Sequence, residues 1–305
     1  MKHIFIINPK AGKYDLSKKV TEIVEKVLNE EDYLLYITKG RLDAQVFVQK
    51  YCEEHQDEEK RFYSCGGDGT LNEVANGVVG YKNTSITCYP IGSGNDFVKY
   101  FGTAEDFLNL PSLIHGKEIE IDLMRFNNRY VINIFNIGLD ADVGDRMINY
   151  KRLPLVSGKG AYILGVIVSF FKKLTKKLKI FVDGEMLYSG EVTLCAAANS
   201  ICYGGGFYCA PQASVSDGLM DIVAVKKLSR LKFLRFIKTY KKGEHLDREE
   251  LKDLIFFRRG KLVEIESEKP INCCLDGEIL KDSKIRIEIF PKLLKFIIPK
   301  KLQND

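Results

Sequence analysis

Three glycine-containing turns carry carboxylates at spacings that chemistry can use: Cys65-Gly66-Gly67-Asp68-Gly69-Thr70, Pro90-Ile91-Gly92-Ser93-Gly94-Asn95-Asp96-Phe97 and Cys274-Leu275-Asp276-Gly277-Glu278. In the first, glycines between a strand pattern and a helix pattern let backbone amides point outward. Amides and a helix amino terminus form an anion site, to which Thr70 adds a hydroxyl donor or a helix cap. A carboxylate at Asp68 repels phosphate and so suggests a metal ion between them; a plain Asx turn is the other reading. The second turn again follows a strand and precedes a helix pattern, a second phosphate-facing candidate, although Asn95-Asp96 reads equally well as a helix cap. In the third, Asp-Gly is the commonest hairpin signal, and Glu278 falls just beyond it. Phosphoryl transfer needs a group that accepts or orients the acceptor's hydroxyl proton. The four histidines, His3, His55, His115 and His245, lie in none of these turns, which leaves a carboxylate.

Several chemistries are excluded. A G-x-G-x-x-G fingerprint would need glycine at Phe97, and a Walker A loop would need glycine at Ile7 and Ser or Thr at Tyr14, so ordinary P-loop and protein-kinase readings fail. The eight cysteines contain no C-x-x-C pair, which argues against a zinc site or redox dithiol and for reduced, mostly buried thiols. Lys and Arg number 46 against 41 Asp and Glu, a net charge of +5 that is too mild for a dedicated nucleic-acid binder. At 305 residues, 45% apolar and 29% charged, the chain suits two ordinary globular domains.

The elements that position these turns follow from periodicity. His3 to Ile7 reads as a buried strand, and Tyr33 to Thr38 and Arg61 to Cys65 as two further strands. Helical faces at Ser17 to Leu28, Asp43 to His55 and Leu71 to Val79 alternate with them, which predicts a parallel sheet covered on both faces. After Ile121-Asp122 short alternating segments appear at 128–136, 179–182, 191–199, 221–225, 261–266 and 284–290, the pattern of antiparallel strands in a sandwich or barrel. Helical insertions are expected near 160–178 and 229–253. The amino-terminal apolar run, Ile4 to Ile7, is too short for a secretory signal, and the uncharged, apolar-rich stretch Gly160 to Phe171 has twelve residues where a membrane span needs about 18. A soluble, cytoplasmic chain is expected.

Asn8-Pro9-Lys10-Ala11-Gly12, Gly66 to Glu73, Gly92 to Phe97, Ile121-Asp122-Leu123, Asn136-Ile137-Gly138, Pro211 to Asp221 and Leu275 to Glu278 occur in the order seen in the diacylglycerol kinase catalytic family. Through these motifs nearly the whole chain resembles that family, which includes soluble bacterial lipid kinases and the sphingosine and ceramide kinases. Its G-G-D-G-T turn is shared with NAD kinases and phosphofructokinases. The resemblance implies an α/β fold: a parallel-sheet, three-layer ATP-binding domain over 1–122, rejoined by a tail at about 291–305, and an antiparallel β-sandwich lipid-acceptor domain over 123–290.

It also implies site residues. ATP contacts fall on Asn8, Pro9, Lys10, Ala11, Gly12, Thr38, Gly66, Gly67, Asp68, Gly69, Thr70, Leu71, Asn72, Glu73 and Ser93. Asp68, Asp96, Asp122 and Glu278 match the family's Asp, water and Mg²⁺ network beside the γ-phosphate, with Glu278 the base and Asp276 a turn former. Ser214, Asp217 and Leu219 match a structural magnesium site of some bacterial members. Ser93-Gly94 stands where bacterial diacylglycerol kinases often have two Ser/Thr residues, and Lys99 where many members have Arg, so the lipid alcohol stays open between diacylglycerol and others. A kinase of a soluble acceptor, NAD kinase-like, is disfavoured by the 275–278 turn and by 211–221; a non-catalytic lipid-binding relative is disfavoured by the intact carboxylates. A homodimer is compatible with the resemblance.

Access to a lipid at a membrane surface points to basic segments. Lys226 to Lys242 holds eight Lys or Arg and no acid, interleaved with Leu231, Phe233, Leu234, Phe236, Ile237 and Tyr240. Lys172, Lys173, Lys176, Lys177 and Lys179 form a second group. Each reads either as a surface for anionic lipid, giving peripheral membrane association, or as a solvated helix face over a core stripe. Nucleic acid is the weaker partner, since no binding motif accompanies the charges.

Overall fold

The computed structural model describes residues 1–138 and 175–302. Lys172, Lys173 and most of the helix expected near 160–178 lie outside them. By contact clustering the chain divides into two compact units, Met1–Leu123 with Pro291–Asp305, and Met124–Phe290.

The first unit follows from its alternation of apolar strands and amphipathic helices. Strands β1 (Lys2–Ile7), β2 (Tyr33–Ile37), β3 (Lys60–Gly66) and β4 (Thr84–Pro90) pair in parallel in the order β2-β1-β3-β4. Every residue of β3 and β4 is buried, as expected of strands covered on both faces. The covering helices are α1 (Ser17–Val27), α2 (Asp43–Glu54), α3 (Asp68–Val78) and α4 (Leu110–Ile114). With right-handed crossovers, the step from β1 to β2 runs opposite to those from β2 to β3 and from β3 to β4, so α1 lies on the other face from α2 and α3. The packing agrees: α2 lies against α3, and α1 against α4. The reversal puts a topological switch point between β1 and β3, where ligands of open α/β sheets bind outside the strands' carboxyl ends.

The tail completes this unit. The last part of β13 (Glu278–Ile298) pairs in parallel with β4 at Phe296 and Ile86, and Thr87 Oγ1 donates to the Ile297 carbonyl at 2.8 Å. Phe296 is fully buried against Phe97, Phe101 and Phe107.

The second unit is antiparallel. Its sheet runs β11 (Ile255–Gly260), β10 (Met220–Lys226), β9 (Glu185–Ala198), β7 (Ile134–Gly138), β12 (Leu262–Leu275) and β13, with β8 (Lys176–Val182) pairing to both β9 and β12. One half of β9 pairs with β8 and the other with β7; β12 is divided in the same way. Sharing two long strands in this manner wraps the sheet around a core of Phe135, Ile137, Ile180, Ile222, Val263 and Ile287. A second cluster on the opposite sheet face packs Ala196, Val223 and Val225 against Phe233, Phe236 and Tyr240 of helix α5 (Arg230–Lys242).

Several expectations are corrected. The helix expected to reach Leu178 cannot, because Lys176 to Leu178 already belong to β8. The helix expected over 229–253 ends at Lys242, where Gly243 takes the left-handed conformation at φ 77° and closes the last turn. Strand β11 follows it unforeseen, its aromatic and arginine residues lacking a clean period of two. The single strand expected at 128–136 is two, β6 (Arg129–Val131) and β7. A strand β5 (Lys117–Phe126) runs through Ile121-Asp122, after which the short alternating segments are expected to begin.

Candidate functional site

The carboxyl ends of β1, β2 and β3 frame a cavity of about 280 Å³, where the switch point requires one. It is lined by Asn8, Lys10, Thr38, Gly69, Thr70 and Glu73 of the implied ATP set, and by Lys39, Gly40 and Arg41. The last three were missed by sequence reasoning; two basic residues just after a predicted strand were the available signal. Glu73 acts on this loop, its Oε1 accepting the Leu42 amide at 2.9 Å, where Leu42 sits at a φ of 64°. Asp43 Oδ2 accepts the Lys39 amide at 2.8 Å and holds the other side.

Asn8 joins the turn after β1 to the turn after β3. Its amide donates to the Cys65 carbonyl at 2.9 Å, its Nδ2 to Thr70 Oγ1 at 3.0 Å, and its Oδ1 accepts the Lys10 amide at 3.0 Å. Thr70 is thus a partner of Asn8, and α3 has no side-chain cap. Gly67 stands at the helix N-cap, and Gly69 has open space where a side chain would be, which leaves the first amides of α3 facing the cavity. Two glycines are required by close approach. A Cβ on Gly12, at φ +75°, would lie 2.5 Å from the Ile91 carbonyl oxygen, and one on Gly92 would lie 2.4 Å from Gly67 Cα. Of the remaining implied ATP residues, Leu71 and Asn72 are buried on α3, Ser93 is exposed, and Pro9 is half-buried.

Asp68 does not form a local Asx turn. Its Oδ1 reaches the second glycine turn and accepts the amides of Asp96 at 2.7 Å and Phe97 at 3.1 Å. Asp96 is buried, and its Oδ1 accepts from Lys99 Nζ at 2.5 Å. A Cβ on Gly94 would stand 2.9 Å from Asp68 Oδ2 and 3.5 Å from Asp96 Oδ2, so the second oxygens of both acids flank one point. Burial and the Asp96 charge together push the Asp68 carboxyl up to about 6, against the pull of the two amides and Lys99. Paired acids in that state suit a hard cation, and their oxygen-only donor set fits Mg²⁺. Asp122 is fully buried, and its Oδ1 accepts the Lys292 amide at 2.7 Å, where the tail residue stands at φ 53°.

In the second unit Asp276 and Glu278 occupy the turn between β12 and β13. Asp276 stands at φ 46° and its carboxylate accepts three amides: Ile132 at 2.7 Å, Asn133 at 3.1 Å and Ile134 at 2.9 Å. That is why the expected long strand breaks before β7. Glu278, opposite Leu275, is ion-paired with Arg129 of β6, a residue sequence reasoning missed because nothing but the fold brings β6 to this turn. Ser214, Asp217 and Leu219 share one turn, where Asp217 Oδ1 accepts the Leu219 amide at 3.0 Å. Among the described residues, no group of three or more His, Cys, Asp or Glu gathers as a metal cluster. All eight cysteines are free and buried.

Comparisons with known proteins match both units. The family model "Diacylglycerol kinase catalytic domain" matches residues 2–126, and "YegS C-terminal NAD kinase beta sandwich-like domain" matches residues 133–298. The chain is 30% identical to "Probable lipid kinase YegS-like" of Shewanella frigidimarina, over 77% of this chain and 75% of that protein. It is 28% identical to "Diacylglycerol kinase" of Bacillus subtilis, over 90% of this chain and 88% of that one. A crystal structure of a diacylglycerol kinase from Bacillus anthracis superposes with a TM-score of 0.70 at 24% identity, covering 99% and 98% of the two chains. An NAD kinase from Archaeoglobus fulgidus in complex with ATP shares the fold at a TM-score of 0.51 and 13% identity, over 98% and 95%.

Proposed function

Since the chain belongs to the diacylglycerol kinase catalytic family, we propose that it transfers the γ-phosphoryl group of ATP to the hydroxyl of a lipid alcohol, foremost diacylglycerol, yielding phosphatidic acid and ADP. The observation that carries this reading is the cradle at the carboxyl ends of β1 and β3, with Asp68 at the start of α3 accepting the Asp96 amide of the second glycine turn. The names of the relatives support a lipid acceptor; the likeness to NAD kinases supports the fold alone.

Each residue has a physical task. The free amides at the start of α3 hold the phosphate chain, and Lys10 in the same cavity supplies positive charge to it. Asp68 and Asp96 would hold Mg²⁺, which supplies charge neutralisation for the transferred group when bound. Glu278 accepts the acceptor's hydroxyl proton as the new oxygen–phosphorus bond forms and the bond to the β-phosphate oxygen breaks. Arg129 fixes the orientation of that carboxylate, and Asp276 fixes the turn that carries it.

Incubation with γ-labelled ATP and a panel of diacylglycerol, ceramide, sphingosine, isoprenoid alcohols and NAD tests the reading. Labelled phosphatidic acid is expected to predominate. Label on NAD with none on any lipid would overturn the proposal.

A further inference from the structure

We propose that the outer face of α5 is the surface by which this protein lands on an anionic bilayer, an inference that rests on the lipid-kinase reading. At 100° per residue, the buried Phe233, Phe236 and Tyr240 define the inward side of the helix. Leu231, Arg235, Lys238 and Lys242 lie diametrically opposite, with Lys232 and Leu234 flanking them. Leu231 is 76% exposed and Leu234 49%, so this short helix presents two leucines to solvent in addition to the stripe it buries. An ordinary core-covering helix needs only one apolar stripe; a second, ringed by cations, is the pattern of a helix that lies in a bilayer interface.

The charge is arranged for an anionic partner. From Lys226 to Lys242 the sequence has no acid; Lys227 and Lys242 are ion-paired with Glu191 at 2.6 Å and Glu244 at 3.8 Å, whereas Lys232, Arg235 and Lys238 make no salt bridge among the described residues. Lys241 and Lys242 in the last turn suit the helix dipole, whereas Arg235 and Lys238 stand mid-helix, where the dipole gives no reason for their charge. The patch continues past the helix. Lys241 lies over the Phe207 ring at 5.5 Å, and Phe207 belongs to a Tyr203-Gly204-Gly205-Gly206-Phe207-Tyr208 loop whose half-exposed Tyr203 and Phe207 pack partly against the core under the helix and keep an edge toward solvent. The other basic group is less suited: Lys177 on β8 is ion-paired with Glu268 at 2.8 Å.

Sedimentation of the full chain with vesicles tests the face. Wild type is expected to bind phosphatidylglycerol-containing vesicles far more strongly than phosphatidylcholine ones. A surface cation near an anionic bilayer is worth about fivefold in partition, so R235E/K238E should lose at least about twentyfold. L231S/L234S should lose several-fold, while K18E/K19E, an equal charge reversal on the exposed face of α1, should stay within about twofold. Equal wild-type binding to neutral vesicles, a loss in R235E/K238E no larger than in K18E/K19E, or binding to an RNA homopolymer without vesicle binding would each overturn the proposal. Turnover of short-chain diacylglycerol in detergent separates the two readings. R235E/K238E should match wild type there; if wild type itself fails, the kinase reading falls while the vesicle result still judges the face.

Discussion

At the scale of single residues, Asp68 holds two turns together at an electrostatic cost. Its Oδ1 accepts two amides of the second turn, yet its carboxyl is raised from 3.8 to about 6 by burial and by Asp96. An acid raised in the folded state binds its proton more tightly folded than unfolded, so Asp68 takes stability away as pH rises from about 4 through about 6. Asp68→Asn retains an acceptor for both amides and removes the charge. In Mg²⁺-free buffer it should melt above wild type at pH 7, with the gap closing by about pH 4, and it should lose turnover; a gap independent of pH would contradict the assignment. Gly92→Ala should destabilise the first unit by at least about 1 to 3 kcal/mol in chemical denaturation, since its methyl would meet Gly67 Cα at 2.4 Å. The three carboxylate turns were legible as sequence because glycine, aspartate and spacing carry local meaning. What Asp68 does there was not, because its partners are the amides of residues 96 and 97, far along the chain.

At the scale of elements, β1 to β3 and α1 to α3 of the first unit were legible nearly to their ends, because parallel strands and amphipathic helices have distinct periods, whereas α4 and β5 were not. The second unit was less legible. Strands β12 and β13 extend well past the alternating runs at 261–266 and 284–290, through charged stretches whose register shifts between Glu266 and Ile271. Arg129 and Glu278 meet only through the placement of β6 and of the hairpin turn. The Asp276 carboxylate holds that turn against residues 132–134, so Asp276→Ala should cost roughly 2 kcal/mol in equilibrium denaturation of the second unit by leaving amides unsatisfied. It should also lower kcat more than it raises KM for ATP, the outcome that the proposed role of Glu278 as base requires when its turn loses support. An unchanged kcat would show that Glu278 is held by other means.

At the scale of the whole molecule, the chain leaves the first unit after Leu123 and returns at Pro291. The return supplies Phe296 to the aromatic core and the Lys292 amide to buried Asp122, so the first unit cannot be finished without the last residues of the chain. Phe296→Ala should cost about 3 to 5 kcal/mol, read as loss of the first unit's unfolding transition or its shift to lower denaturant. The proposed reaction divides the labour, with nucleotide held on the first unit and Glu278 of the second proposed to take the acceptor's proton. Its most direct test is Glu278→Gln, assayed for label transfer from ATP to diacylglycerol and for ATP affinity in the same preparation. Turnover should fall at least about a hundredfold with the ATP dissociation constant changed less than about threefold; transfer at the wild-type rate would contradict the account.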